Sequence, residues 1–206
     1  MSTPIRSELL DRLVDRVDIS PPMDVTSAVK ILERVESWGV EVCVDGGWGI
    51  DALVGMQTRS HADLDLVVAR PDCVVVQAAL EPIGFLHDTW VEPGLPARVV
   101  LRTDRGLQVD LHPVVVDELE NGWQPLARDA WALYPAEGLR GQGSIGTRQV
   151  RCLTPELQLC HHLGYPLDDD DRHDLRILAR HYHLAMPPGL LDGDAASQPK
   201  EPGGYE

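Results

Sequence analysis

Residues 63–69 read DLDLVVA, and the alternation at the start of this run constrains the chain more than any bulk property. Successive side chains on a strand point to opposite faces, so Asp63 and Asp65 share one face while Leu64 and Leu66 share the other. A second strand-like run, 107–112, repeats the pattern: Gln108, Asp110 and His112 lie on one face, Val109 and Leu111 on the opposite one. If the two strands are neighbours in register, three carboxylates converge. Anions so clustered repel one another and raise each other's pKa, and the arrangement becomes favourable when divalent cations sit among them. Hard oxygen ligands at this density suit Mg2+, which takes its remaining ligands from water and substrate phosphates. Two such ions about 3.5–4 Å apart are the usual clamp for in-line displacement at phosphorus, one activating the attacking hydroxyl and the other stabilising the leaving pyrophosphate. A bare DxD also describes the solvated face of an edge strand, so its surroundings decide.

Those surroundings lie upstream. A strand over 41–45 runs into Gly46-Gly47, and residues 48–54 read as a short helix that Gly55 closes. Glycines at such a junction permit the turn and the close approach of a ligand. The helix start presents backbone N–H groups at its positive end, where phosphates are readily cradled. Arg59 and His61 fall between this helix and the carboxylate strand, where a cation could meet a triphosphate; an incidentally charged surface loop reads the same way.

Elsewhere Asp24 reads as the N-cap of a helix that stops at Gly39, and Pro71 suits the first turn of a helix running to Ile83. Strands are expected over 85–91 and 97–102, with a hairpin turn at 103–106 leading into the second carboxylate strand. A loop-rich segment carrying Trp123, Trp131 and Tyr134 follows, then glycine-dense residues 138–146, a strand near 149–153, and helices near 155–164 and 171–184. The expected class is α+β: a central mixed β-sheet flanked by helices, plus a mainly helical C-terminal portion. The expected division is a leader at 1–22, a catalytic domain at 23–117, an acceptor-side helical region at 118–186, and a Pro- and Gly-rich disordered tail at 187–206.

The formal net charge is −15, and lysine occurs only at Lys30 and Lys200. Gripping a nucleic-acid backbone takes clustered Lys and Arg, so no nucleic-acid partner is expected. An acidic protein attracts cations instead, including metals and polyamine-like small molecules. No stretch approaches the ~20 apolar residues that cross a bilayer, and no basic-then-apolar secretory pattern opens the chain. Cys43, Cys73, Cys152 and Cys160 are widely spaced, and three of them sit among apolar neighbours as reduced thiols do. A soluble, cytoplasmic chain is expected. The run Cys160-His161-His162 with His173, His181 and His183 matches no zinc spacing. Trp90, Trp123, Trp131 and Tyr134 with Glu92 and Glu137 could wall a pocket for a cationic sugar, although such aromatics are more often core.

The run 44–68, VDGGWGIDALVGMQTRSHADLDLVV, resembles the antibiotic nucleotidyltransferases, that is, the aminoglycoside-2''-nucleotidyltransferases and the lincosamide enzymes of the DNA-polymerase-β-like superfamily. Gly46-Gly47-Trp48, Asp51, Gln57-Thr58-Arg59, His61 and Asp63-Leu64-Asp65 carry the likeness, with thinner matches at 109–112 and 172–175. The resemblance implies a nucleotidyltransferase fold, ATP or another NTP as donor, two Mg2+ ions, and AMP transfer to a hydroxyl of a small, cationic, aminoglycoside- or lincosamide-like acceptor. By position it makes Asp63 and Asp65 the metal pair, Asp110 the third ligand and hydroxyl base, and Gly46 and Gly47 the phosphate-binding loop; Trp48, Arg59 and His61 are further candidates for the nucleotide side. Relatives tend to carry a lysine where this chain has Asp170, and Arg59, Arg148 or Arg172 could substitute for it. Transfer to a macromolecule, such as tRNA or a protein, and a non-catalytic nucleotide-binding module stay open as alternatives.

Overall fold

The computed structural model describes residues 22–88, 98–127, 129–163, 165–188 and 190. Most of the leader and tail, Trp90, Glu92 and most of the connection after residue 88 therefore lie outside the described residues.

Helix α1 (Val25–Glu36) starts where the Asp24 carboxylate accepts from the Ser27 N–H, and it buries Ala28, Ile31, Leu32 and Val35. Strand β1 (Val42–Val44) leads into α2 (Gly46–Val54), which ends at a left-handed Gly55. Strand β2 (Asp63–Ala69), helix α3 (Cys73–Leu80), and strands β3 (Leu86–His87), β4 (Val99–Arg102) and β5 (Gln108–Val116) follow. Beyond them come β6 (Gly122–Ala127), β7 (Ala130–Tyr134), β8 (Gly141–Ile145), β9 (Arg148–Cys152), α4 (Pro155–His161) and α5 (Asp169–Tyr182).

The sheet order is β3-β4-β5-β2-β1-β9-β8, and β6 and β7 extend it from the far end of β5. Strands β2 and β5 run parallel, as do β1 and β9, while the other pairings are antiparallel. The expected mixed sheet with flanking helices is what the chain forms. The period-2 pattern explains its two faces. Leu64, Leu66, Val68, Val109 and Leu111 belong to the main core with Ile31, Leu32, Ile50 and Leu175. The opposite face is divided along its strands. Its far half is apolar, with Cys43, Val67 and Val114 packed on Tyr134, Leu139, Leu153 and Leu157. Its near half carries Asp63, Asp65, Gln108, Asp110 and His112.

Two local outcomes differ from the sequence reading. The helix after β1 begins at Gly46 rather than Trp48, because Asp45 serves as its N-cap and draws the glycines into the first turn. The segment after residue 117 is richer in strand than its loop-like texture suggests. Strand β8 carries glycine at 143 because α2 crosses it closely, a Cβ there lying 2.2 Å from the Ala52 carbonyl oxygen, and at 141 because a Cβ would lie 2.5 Å from the Cys152 carbonyl oxygen. Glycine here serves close backbone approach, the use that strand glycines often have.

Gly143→Ala should accordingly push β8 off α2. We expect a loss of about 1–3 kcal/mol, the usual cost of overpacking, read as a lower urea midpoint with an unchanged m-value.

Candidate active site

The parallel register of β2 and β5 pairs Asp63 with Gln108 and Asp65 with Asp110. Side chains on a shared face of adjacent strands stand close, and an oxygen from each of Asp63, Asp65 and Asp110 lies within 4.8 Å of the others. Asp110 is fully buried. Burial, then the charges of Asp65 and Asp110, pushes Asp63 up to about 7. Burial and then Asp65 push Asp110 upward as well.

Several groups offset this repulsion. Gln108 Nε2 donates to Asp110 Oδ1 at 2.7 Å and to Asp63 Oδ2 at 3.3 Å. Arg98 Nη1 stands 2.9 Å from Asp110 Oδ2 as an ion pair without hydrogen-bond alignment, which leaves that buried oxygen without a hydrogen-bond partner. His112 lies between Asp45 and Asp65, with Nδ1 and Nε2 each 3.3 Å from a carboxylate oxygen. Burial opposes its charge, but the hydrogen bonds to Asp45 and Asp65 prevail and hold the imidazole up at about 10. Burial would likewise raise Asp45, yet the bond and charge of His112 keep it below the usual carboxylate range. The donor set of three converging carboxylates, one with a buried oxygen lacking a hydrogen-bond partner, fits a hard divalent cation.

The glycine loop abuts this cluster. Gly46 has φ +60°, and a Cβ there would meet Asp65 Oδ2 at 2.4 Å. The Asp45 N–H donates to the Asp65 carbonyl at 3.0 Å, tying the start of α2 to the carboxylate strand. A Cβ on Gly47 would lie 2.6 Å from both Arg59 Nη2 and His61 Nδ1.

The remaining sequence candidates pack around α2. Trp48 and His61 are nearly fully buried, with ring centroids 4.5 Å apart. His61 Nε2 meets Asp51 Oδ2 at 2.5 Å, and Asp51 also accepts from the Thr58 hydroxyl at 2.6 Å. Arg59 grips Asp174 of α5 with Nε at 2.9 Å and Nη2 at 2.7 Å, while Nη1 stands 3.2 Å from Asp170. Of the three arginines considered for the phosphate side, Arg59 adjoins Gly47, whereas Arg148 pairs with Glu33 and Glu36 of α1 and Arg172 stands 3.9 Å from Asp169. Tyr134 is buried and donates to Gln124 Oε1 at 2.8 Å, while Trp123 and Trp131 lie on the exposed side of their hairpin.

Sequence reasoning missed Asp45 and Arg98. Asp45 was visible as a possible cap just ahead of a helix. For Arg98 the signal was the alternation of Arg98, Val100 and Arg102, which puts two cations on the same face as Asp110 and Gln108 once β4 pairs with β5.

Residues 27–178 match the family model described as aminoglycoside-2''-adenylyltransferase. A lincosamide resistance protein of Staphylococcus haemolyticus is 28% identical over 149 residues, covering 72% of this chain and 89% of that protein. A 2''-aminoglycoside nucleotidyltransferase of Escherichia coli is 28% identical over 160 residues, covering 72% of this chain and 81% of its own. Among solved structures, the lincomycin-bound lincosamide antibiotic adenylyltransferase LnuA superposes with a TM-score of 0.63 at 28% identity, over 73% of this chain and 92% of that one. ANT(2'')-Ia in complex with adenylyl-2''-tobramycin has a TM-score of 0.58 over 77% of this chain and 88% of its own; at 21% identity this is a likeness of fold.

The carboxylate cluster gives a signed pH prediction. Folded Asp63 keeps a proton that the unfolded chain, with its ordinary value of 3.8, gives up between about pH 4 and pH 7. Its stabilising contribution is full below the lower value and is lost as pH rises through the upper one. In chelator, Asp63→Asn should therefore gain melting temperature relative to the parent as pH rises across that window, in paired thermal melts.

Proposed function

The chain belongs to the aminoglycoside-2''-adenylyltransferase family, and from that premise we propose that it transfers a nucleoside monophosphate, AMP from ATP, to a hydroxyl of a small cationic antibiotic-like molecule. The observation that carries this reading is the β2–β5 register, which sets Asp65 beside Asp110 and draws three carboxylates together against Gly46. In the proposal Asp63, Asp65 and Asp110 hold the divalent ions, Mg2+ by the chemistry of the donors. When bound, those ions supply charge neutralisation at the phosphates and acidify the attacking hydroxyl.

The protein's own groups do the rest. The Gly46 and Gly47 backbone at the start of α2 receives the triphosphate, with no side chain to hold it off and a favourable helix end behind it. The acceptor hydroxyl attacks the α-phosphorus, and the bond from that phosphorus to the bridging oxygen of the β-phosphate breaks. Pyrophosphate leaves with the bond's electrons, and the hydroxyl proton passes to Asp110. His112 fixes Asp65 from behind through its bridge to Asp45. A net charge of −15 favours cationic acceptors over polyanions.

The test is pyrophosphate release with Mg2+, each nucleoside triphosphate and a panel of aminoglycosides and lincosamides. We expect turnover with at least one acceptor, and Asp65→Asn and Asp110→Asn should each lower it by about 10²–10³-fold or more. Silence across the whole panel would count against the reading.

A further inference from the structure

Three carboxylates of like charge on adjacent strands have no reason of their own to face one point, and their repulsion favours turning away. The face of the sheet carries a device that opposes this. Arg102 of β4 pairs across the antiparallel ladder with Gln108 of β5, and Gln108 pairs across the parallel ladder with Asp63 of β2. On that row the Arg102 Nη2 donates to Gln108 Oε1. The Gln108 amide nitrogen in turn reaches Asp110 at 2.7 Å and Asp63 at 3.3 Å. Arg102 is itself held from the other side, its Nε lying 3.1 Å from Asp88 Oδ2.

The chemistry of each member fits its place. A carboxamide has one acceptor end and one end with two N–H donors, so its orientation decides whether it repels or steadies neighbouring carboxylates. A cation on the oxygen end selects the orientation with both donors toward the aspartates. The amide is neutral, so it steadies them without cancelling the charge that a divalent cation needs. A lysine at the same place would satisfy the carboxylates outright and compete with the metal.

We propose that Gln108 and Arg102 are positioning residues: Arg102 sets the Gln108 carboxamide, which holds Asp63 and Asp110 from the side in the geometry that receives the divalent ion. The inference rests on the reading of these aspartates as metal ligands and adds to it the groups that aim them. Partners behind metal ligands typically alter affinity by about 10–100-fold when removed.

The experiment is Mn2+ binding to the full chain, stripped with chelator, followed by the electron paramagnetic resonance of free Mn2+, for the parent, Gln108→Leu, Arg102→Met, the double variant and Asp65→Asn. Gln108→Leu should weaken binding about tenfold or more. Arg102→Met should weaken it in the parent background and have no further effect once Gln108 is gone, since it acts through the amide. Far-UV circular dichroism checks that each variant is folded, and if Gln108→Leu is not, Arg102→Met alone must still weaken Mn2+. Parent-like binding by the folded single variants, or effects that simply add in the double variant, overturns the brace while leaving the metal site standing. A parent no better than Asp65→Asn overturns the metal reading and the brace together.

Discussion

The parallel pairing of β2 with β5 is the constraint on which the rest of the site depends. A shift of one residue would exchange the faces, sending Asp63 and Asp65 into the core and Leu64 and Leu66 outward. The main core forbids that, because Leu64, Leu66, Val109 and Leu111 are fully buried beneath the helices. Hydrophobic packing on one side of the sheet thus enforces electrostatic crowding on the other. The cost is visible in the raised basicity of Asp63 and Asp110. The surrounding cations, Arg98 and His112, and the Gln108 amide offset it locally rather than abolish it.

What the sequence made legible follows from how local each signal is. Alternation over two short runs was enough to place five residues on one face, and the cap at Asp24 sits where side-chain chemistry called for it. The parts that escaped are products of pairing between distant segments. That Arg98 meets Asp110, that Arg59 reaches Asp174 across 115 positions, and that His112 bridges to Asp45 depend on which strands adjoin, which periodicity cannot say. The glycine-dense stretch before β9 carried no strand signal, because composition cannot distinguish a flexible glycine from one that lets two backbones touch.

The divided face of the sheet also separates tasks. Its apolar half, closed by Tyr134, Leu153 and Leu157, is ordinary core and anchors the hairpin of β6 and β7 beside the polar half. Residues on α4 and α5 meanwhile pack on these surroundings: Asp174 holds Arg59 beside Gly47, and His161 makes an edge contact with Tyr134 of the apolar half. The acidic opening of α5, Asp169 to Asp171 behind the Asp168 cap, places Asp170 on the same Arg59 guanidinium that Asp174 holds.

The crowding at Gly47 has a consequence for how such a loop can change over time. Here any side chain at that position would land 2.6 Å from the Arg59 guanidinium and the His61 ring. A side chain can enter there only if the Arg59 guanidinium shifts from its place on Asp174 and the His61 ring tilts away from Asp51. Positions 47, 59 and 61 are thus sterically one unit: the bare glycine loop makes room for the arginine strut to the last helix, and a side chain at 47 calls for accompanying change at 59 and 61.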